Sequence, residues 1–271
     1  MRAVDRRAPH GRQAQPQSGN SMTRQDLHTA SEIEAFRDIE LYNELMARPY
    51  TQELKRNVAE TIKGYGIRNA HILEIGAGVS QFSELLRDQN YIVLTDLNGK
   101  LLSQNPPENA LVVCDAEMLP FKGGVFDFVY AIGVFHHLAN QYQCLHEIRC
   151  VLKPEGAMLA CEPHRMSLNF FYHMGRVVIM NLLGVAFVKK LIGCFSPDEA
   201  QVDARAVRRV FKAGFDVRTW TILVFRLPPF RVLKHSALDV QISKVLDRIP
   251  ILSRLGTTIL LEANGKARLG A

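Results

Sequence analysis

The chain has 271 residues, of which 47% are hydrophobic and 22% are charged, and this composition is typical of a globular protein with one large domain. The formal charge is +6, but residues 1–24 hold five arginines against Asp5, which is +4 and leaves only +2 on residues 25–271. A nucleic-acid-binding protein carries a basic face on its folded part, so this distribution argues against a nucleic-acid partner.

The five cysteines are spread along the chain without any C-x-x-C spacing: Cys114, Cys144, Cys150, Cys161 and Cys194. Several have apolar neighbours in segments that resemble strands or helices, so we predict buried free thiols and neither a disulfide framework nor a zinc site. Free thiols indicate a reducing compartment, and we expect a cytoplasmic protein without a bound metal.

The N-terminal region divides into a tail, residues 1–24, and a helical part, residues 25–70. The tail is rich in Arg, Gln, Pro, Ser and Gly and lacks the apolar run of a secretory signal, so we predict that it is disordered. Apolar spacing predicts one amphipathic helix from Ser31 to Arg48 and another from Thr51 to Lys63, with a break at Pro49. We expect these helices to cover an edge of the sheet or a ligand cleft.

The next segment, residues 71–80, reads His-Ile-Leu-Glu-Ile-Gly-Ala-Gly-Val-Ser. Its apolar first half predicts a buried strand, and Ser80 is placed to open a helix over Gln81 to Arg87. Gly76 and Gly78 accept the backbone conformations of a tight turn and lack the Cβ that would hold a ligand away. A strand, a glycine turn and a helix N-terminus together form a site where a small ligand can contact the backbone.

Four further strands are predicted, with a helix between the last two: strands Tyr91–Asp96, Leu111–Asp115, Val125–Ala131 and Ala157–Cys161, and the helix Leu138–Leu152. Strands that alternate with helices at this spacing predict a doubly wound, mostly parallel α/β sheet. Ligands of such sheets bind beyond the carboxyl ends of the strands, where we expect four residues to converge: Gly76, Asp96, Asp115 and His137. An Asp at the second strand tip can accept hydrogen bonds from both hydroxyls of a ribose.

Five segments resemble, in order and spacing, the class I S-adenosylmethionine-dependent methyltransferases of the small-molecule branch that includes the ubiquinone and menaquinone enzymes: Leu73–Gly78, Thr95–Leu97, Asp115–Phe121, Phe126–Val129 and Glu147–Gly156. The resemblance covers residues 71–162, which would be the cofactor-binding core. It implies a seven-stranded Rossmann-like sheet with helices on both faces, whose last strand lies antiparallel between the fifth and sixth. One departure is Ser80, which stands where the family often has a third glycine.

By this resemblance the cofactor is S-adenosylmethionine, and the residues that bind it are Glu74, Gly76, Ala77, Gly78, Asp96, Leu97, Asp115, Ala116 and Ile132. The first four would line the methionine end of the cofactor. Asp96 would hold the ribose, with Leu97 packed beside the adenine. Asp115 would accept from the adenine amino group and the backbone of Ala116 would meet the ring edge, while the backbone near Ile132 would face the cofactor's amino group.

The implied activity is transfer of the methyl group to a small acceptor by in-line displacement, in which the enzyme orients the reactants and excludes water. If the acceptor is a hydroxyl or an acidic carbon, a general base helps, and a histidine suits that work near neutral pH. His137 and His136, just past the fourth strand, are the best-placed catalytic candidates, ahead of His164 and His173. Each histidine has a cleft-lining or helix-capping role as its alternative, and O-, C- and N-methylation all stay open.

Two other classes of function share part of the pattern. A NAD(P)-dependent oxidoreductase has a G-x-G-x-x-G turn and an acid at the second strand tip, but Gln81 is bulky where that fingerprint requires glycine or alanine. The Asp115-Ala116-Glu117 element also has no role in hydride transfer. The other alternative is a non-catalytic module that keeps the methyltransferase fold for interaction.

Residues 163–213 are predicted to form an inserted helical lid over the substrate cleft. The segment 164–195 contains no acidic residue and includes the uncharged apolar run Val177–Val188, which is too short to span a bilayer as a helix. Its apolar and basic character indicates an apolar or lipid-like acceptor, or peripheral contact of this segment with an anionic membrane surface.

Residues 214–271 are predicted to complete the sheet. Asp216 to Phe225 alternates as a strand, a helix is predicted over Ala237 to Arg248, and Thr257 to Glu262 is the last predicted strand. The final residues, Ala263 to Ala271, are expected to fray.

Overall fold

A computed structural model of the chain describes residues 33–34, 39–80, 82–164, 178, 181–184, 204–211, 214–223, 237–249, 252, 254 and 256–265. The strands within these residues are β1 (His71–Ile75), β2 (Tyr91–Asp96), β3 (Ala110–Val113), β4 (Phe126–Ile132), β5 (Leu152–Pro163), β6 (Phe215–Ile222) and β7 (Thr258–Gly265). The α-helices with defined bounds are α1 (Ile39–Met46), α2 (Pro49–Gly64), α3 (Ser83–Leu86), α4 (Gly99–Leu102), α5 (Gln141–Val151), α6 (Ala204–Phe211) and α7 (Leu238–Leu246). Short 3₁₀ turns cover Arg87–Gln89 and Phe135–His137.

The described strands form one seven-stranded sheet in the order β3-β2-β1-β4-β5-β7-β6. The first five strands run parallel to one another, whereas β7 is antiparallel to both β5 and β6. The chain order reverses between β1 and β4, which is the crevice where ligands of doubly wound sheets bind. The predicted fold class is therefore confirmed, including the position of the last strand between the fifth and sixth.

The central strands are apolar along their length because helices cover both faces of the sheet. On one face, Leu73 of β1 belongs to a core that includes Leu145 of α5 and Phe211 of α6. On the other face, the neighbouring Ile72 packs in a core that includes Ile62 of α2. Since successive side chains of a strand point to opposite faces, β1 contributes to both cores and is fixed in register by both.

Several predicted boundaries were wrong because polar side chains end or begin the elements. The third strand ends at Val113 and not at Asp115, because the Asp115 carboxylate turns the chain by accepting from the backbone N–H of Glu117 at 2.8 Å. The fifth helix begins at Gln141 and not at Leu138, because Asn140 caps it through a 3.1 Å hydrogen bond from the N–H of Gln143.

The C-terminal strand is longer than predicted. It continues to Gly265, and Ala263 is fully buried between its partners Met158 of β5 and Val217 of β6. The expectation that the chain frays from Ala263 was therefore wrong for Ala263 to Gly265, because this segment pairs on both sides.

Other differences are smaller. Pro49 does not interrupt a helix but begins α2, where the missing N–H costs nothing. The fifth strand starts at Leu152 and not at Ala157, and the helix after the glycine turn starts at Ser83 and not at Gln81. Among the described cysteines, Cys150 is exposed, which contradicts the expectation that it is buried.

The tail, residues 1–24, and most of the predicted lid, residues 163–213, lie outside the described residues, as does most of the segment 164–195. In the part of the chain that the structure describes, no helix is long and apolar enough to cross a membrane.

Candidate functional site

A cleft of about 410 Å³ opens beyond the carboxyl ends of β1, β2 and β4. Its volume lies within the range of small-molecule sites, roughly 300–1,000 Å³. Every residue predicted from the sequence to bind a cofactor lines this one cleft: Glu74, Gly76, Ala77, Gly78, Asp96, Leu97, Asp115, Ala116 and Ile132. The two candidate histidines, His136 and His137, line it as well.

The glycine turn after β1 forms the back of the cleft. Gly76 and Gly78 both have positive φ angles, +64° and +50°, which an L-residue adopts at a cost. A Cβ on Gly76 would collide with a methyl group of Val134, and one on Gly78 would lie 3.0 Å from the Tyr42 hydroxyl. The turn therefore keeps open a cradle of bare backbone, which fits the close approach of a cofactor.

Asp96 lies at the tip of β2 and holds the glycine turn. One carboxylate oxygen accepts from the N–H of Gly78 and the other from the N–H of Asn98, both at 2.7 Å. Burial raises the pKa of Asp96, while these backbone donors and the nearby His137 act in the opposite direction. With its orientation fixed by the backbone, the carboxylate is placed to accept from the hydroxyls of a ribose.

Glu74 is buried at the end of β1, with only 4% of its surface exposed. One of its oxygens accepts from the hydroxyl of Tyr130 at 2.7 Å and from the hydroxyl of Ser80. Burial raises the pKa of Glu74 to about 7 in spite of these two donors. Ser80 stands at the position where the resembling family often has a third glycine. Its hydroxyl donates to the Glu74 carboxyl group and also accepts from the N–H of Ser83 at 3.1 Å.

The next loop brings Asp115 and Ala116 to the same cleft. The N–H of Cys114 donates to the carbonyl of Asp96 at 3.2 Å, which carries the chain past the tip of β2. Asp115 then turns the chain by accepting from the N–H of Glu117. Three carboxyl groups, Glu74, Asp96 and Asp115, are therefore distributed along one wall.

The two histidines differ in their surroundings, although their ring centroids are only 3.9 Å apart. His136 Nδ1 lies 2.7 Å from a carboxylate oxygen of Glu162 at the end of β5. His137 instead interacts electrostatically with Asp96. The Phe135–His137 turn thus places one ring against β5 and the other toward the tip of β2.

The opposite wall consists of residues that the sequence did not single out. Tyr42 and Met46 come from α1, Tyr50 and Lys55 come from α2, and Thr258 begins β7. The N-terminal helices were expected to cover an edge of the sheet or a ligand cleft, and side chains from both helices line the cleft. The amphipathic pattern did not indicate which side chains point inward, because an aromatic residue on a helix has the same pattern in a core and in a ligand site.

Two features of this wall are polar. The Tyr50 hydroxyl lies 2.5 Å from the hydroxyl of Thr257 and 3.2 Å from that of Thr258, which joins α2 to the start of β7. Partial burial lowers the pKa of Lys55. Among the described residues, no group of three or more His, Cys, Asp or Glu side chains is arranged to hold a metal ion.

Comparison with known families gives a match for part of the chain. Residues 73–160 match the family described as methyltransferase domain. A ubiquinone/menaquinone biosynthesis C-methyltransferase of Cellvibrio japonicus is 28% identical over 162 residues, covering 54% of this chain and 64% of that protein. The protein of the same description from Pseudomonas aeruginosa is 28% identical over 207 residues, covering 67% of this chain and 78% of that protein. The chain thus spans less than two thirds of the first relative's length.

The fold has relatives among solved structures. A SAM-dependent methyltransferase from Thermotoga maritima superposes with a TM-score of 0.58 at 16% identity, covering 87% of this chain and 100% of that chain. At this identity the likeness establishes the fold alone. Together with the domain match, it confirms the resemblance noted in the sequence and the cofactor that the resemblance implies.

Proposed function

Residues 73–160 form a methyltransferase domain, and from this premise we propose that the protein moves a methyl group from S-adenosylmethionine to a small acceptor bound in the cleft. The observation that supports the proposal is that the predicted cofactor residues converge on one cleft. Segments from four separate strand tips supply all nine predicted cofactor residues to a single cleft.

The proposed cofactor residues match the chemistry of a nucleoside that carries a positive charge. The Asp96 carboxylate binds the ribose hydroxyls, and Asp115 with the backbone of Ala116 binds the adenine beside Leu97. Glu74 and the glycine turn from Gly76 to Gly78 hold the charged methionine end, and the backbone at Ile132 faces its amino group. The bound cofactor supplies an activated methyl group on a sulfonium.

The chain's own residues then position the acceptor and exclude water. In-line displacement needs a nucleophile aligned with the methyl carbon, and orientation of this kind is worth up to about 7–11 kcal/mol in intramolecular models. The wall formed by α1 and α2 completes the lining of the cleft. His136 and His137 lie between the two walls, where we propose that one of them removes a proton from the acceptor.

We further propose that the acceptor is apolar or lipid-like. The support is the apolar part of the wall, Met46 and Leu54 together with the rings of Tyr42 and Tyr50, and the quinone-related description of the two relatives. In this proposal residues 163–213 are the lid that covers the acceptor, and 164–195 contacts a membrane surface.

Calorimetry with the purified protein tests the proposed function. We expect binding of S-adenosylmethionine and of its demethylated product, and no binding of NAD or NADP. Binding of a dinucleotide in place of S-adenosylmethionine would favour an oxidoreductase, and binding of neither would favour an interaction module.

A second measurement identifies the acceptor. Small-molecule and lipid extracts are incubated with the protein and methyl-labelled S-adenosylmethionine, and mass spectrometry follows the label. The expected product is an apolar molecule that gains one labelled methyl group. Label that enters only polar metabolites would contradict the lipid-like acceptor but not the methyl transfer.

A further inference from the structure

A polar contact between side chains of the cleft joins His136 to Glu162. The Nδ1 atom of the imidazole lies 2.7 Å from Oε2 of the carboxylate. The Glu162 side chain is completely buried and the His136 side chain is 15% exposed. Both residues line the cleft, so this buried pair reaches the space in which an acceptor would bind.

The other oxygen of Glu162 is held by the backbone. Its Oε1 atom accepts from the N–H of Val134 and from the N–H of Phe135, each at 2.8 Å. These donors compensate the burial of the carboxylate and fix its plane. Val134 and Phe135 directly precede His136 in the chain. Glu162 therefore contacts both the His136 ring and the backbone that carries it.

The turn that carries the ring follows Gly133, which comes directly after β4. Gly133 has a φ of +71°, and a Cβ at that position would lie 3.8 Å from Cε1 of His136. The N–H of Gly133 donates to the carbonyl of Cys161 at 2.8 Å, which joins the ends of β4 and β5. The ring therefore lies over the strand ends that face the cofactor cradle.

From this geometry, and resting on the proposed methyl transfer, we propose that His136 is the general base and that Glu162 is its positioning residue. An ionised carboxylate has no proton to donate, so the bond between them requires the proton to be on Nδ1 of His136. The lone pair of the neutral ring is then on Nε2. Glu162 also stabilises the imidazolium that forms when Nε2 takes a proton.

The assignment defines the chemical class of the acceptor. A base is useful only if the reacting group loses a proton, as a phenol, an enol or an acidic carbon does. As the oxygen or carbon of the acceptor bonds to the methyl carbon, the acceptor's proton passes to Nε2. The bond between that carbon and sulfur breaks, and its electron pair stays on the sulfur. A carboxylate acceptor, which has no proton to lose, would not need this pair.

Other titratable groups surround the pair. Glu162 approaches His136 from β5, and the tilted His137 ring on the same turn has its centroid 3.9 Å from that of His136. The remaining titratable side chains on the described lining of the cleft are Tyr42, Tyr50, Lys55, Glu74, Asp96, Cys114, Asp115 and Cys161. The test must therefore observe the His136 ring itself and not only a pH profile of turnover.

Long-range ¹H–¹⁵N spectra of protein labelled with ¹⁵N-histidine report which ring nitrogen carries the proton. Above its titration midpoint, His136 of the unmodified protein is expected to be in the Nδ1–H form. Glu162→Gln keeps a carbonyl oxygen for the two backbone donors but presents an amide that donates to Nδ1. We expect this variant to convert His136 to the Nε2–H form and to lower its titration midpoint by about one pH unit or more.

The exposed His146 on α5 is the internal control, because Glu162→Gln should leave its signals unchanged. His136→Asn assigns the signals. An Nε2–H form in the unmodified protein would overturn the proposal even if Glu162→Gln did not fold. So would a variant that folds and shows the same tautomer and midpoint as the unmodified protein.

Turnover on the acceptor found by methyl labelling gives the second readout. His136→Asn should lower kcat by about 100-fold or more while the Kd of S-adenosylmethionine stays within threefold. Unchanged kcat would overturn the base assignment. If the protein binds no S-adenosylmethionine, the proposed function is contradicted. The tautomer measurement would still decide whether Glu162 orients His136.

Discussion

The two walls of the cleft are built in different ways. The cofactor wall comes from the tips of the parallel strands β1 to β4, and its polar contacts include backbone groups, such as the N–H of Gly78 on Asp96. The acceptor wall brings α1 and α2 against the ends of β5 and β7, and its contacts join side chains, such as Tyr50 and Thr257. The geometry of the cofactor wall is set by the sheet. The geometry of the acceptor wall is set by segments that are far apart in the sequence and pack together in the fold.

This difference indicates on which wall substitutions are tolerated. The cofactor wall is fixed by strand register and by glycines with positive φ, so a substitution there disturbs both ligand and fold. Side chains on the acceptor wall can change without altering the sheet beneath them. We therefore expect cofactor affinity to depend on the first wall alone, and the four predictions below test that separation.

The largest effect is expected for Asp96→Asn. A carboxylate that accepts two hydroxyl donors contributes about 3 kcal/mol or more, so the variant should bind S-adenosylmethionine about 100-fold more weakly in calorimetry. Asp88→Asn removes the same charge from an exposed position and should leave the affinity unchanged. Affinity within threefold of the unmodified protein would remove Asp96 from the proposed site.

The next largest effect is a pH dependence of stability caused by Glu74. Burial raises the pKa of Glu74 from 4.5 to about 7, so between these values the folded protein holds a proton that the unfolded chain releases. The free energy of unfolding should therefore fall as pH rises through this interval, by about 3 kcal/mol in total.

Urea unfolding at pH 5 and pH 8 measures this contribution. Glu74→Gln cannot ionise, so its stability should fall less between the two pH values than that of the unmodified protein. Glu84→Gln, at an exposed position on α3, should behave like the unmodified protein. If the Glu74→Gln variant shows the same pH dependence as the unmodified protein, the carboxyl group is ionised in both states.

The contrast between the walls also explains what the sequence could predict. The five parallel strands, and the cleft that the proposed cofactor residues line, were predictable because strand periodicity, glycine turns and strand-tip acids are local signals that recur in order along residues 71–162. Ser80 was expected to cap a helix, and it does accept from the N–H of Ser83. Its bond to Glu74 was not predictable, because no pattern states that the two side chains meet.

The acceptor wall was not predictable for a physical reason. Tyr50 and Thr257 are 207 positions apart in the chain, and only the folded sheet brings them together. Glu162 directly follows the predicted strand Ala157–Cys161, but its contact with His136 depends on β4 and β5 being neighbours. Such contacts leave no periodic signal, so sequence reasoning could not choose between His136 and His137.

A smaller effect is expected for Gly76→Ala. The added Cβ collides with Val134 at a backbone φ of +64°, which should lower the free energy of unfolding by about 2 kcal/mol. Gly64→Ala at the end of α2 is the matched control, because a Cβ there meets nothing within 4 Å and alanine favours the helix. Urea unfolding distinguishes the two, and equal stability of both variants would mean that the turn relaxes around the new methyl group.

The smallest effect is expected for Tyr50→Phe, which removes the hydroxyl that joins α2 to Thr257 and Thr258. The loss of a buried hydrogen bond between neutral groups should cost about 1 kcal/mol of unfolding free energy, because Thr257 still donates to the carbonyl of Leu223. Tyr91→Phe, with 58% of the tyrosine exposed, should cost nothing measurable. The Kd of S-adenosylmethionine should stay unchanged in both variants. A weaker Kd in Tyr50→Phe alone would show that the acceptor wall also holds the cofactor, and the two walls would then act as one site.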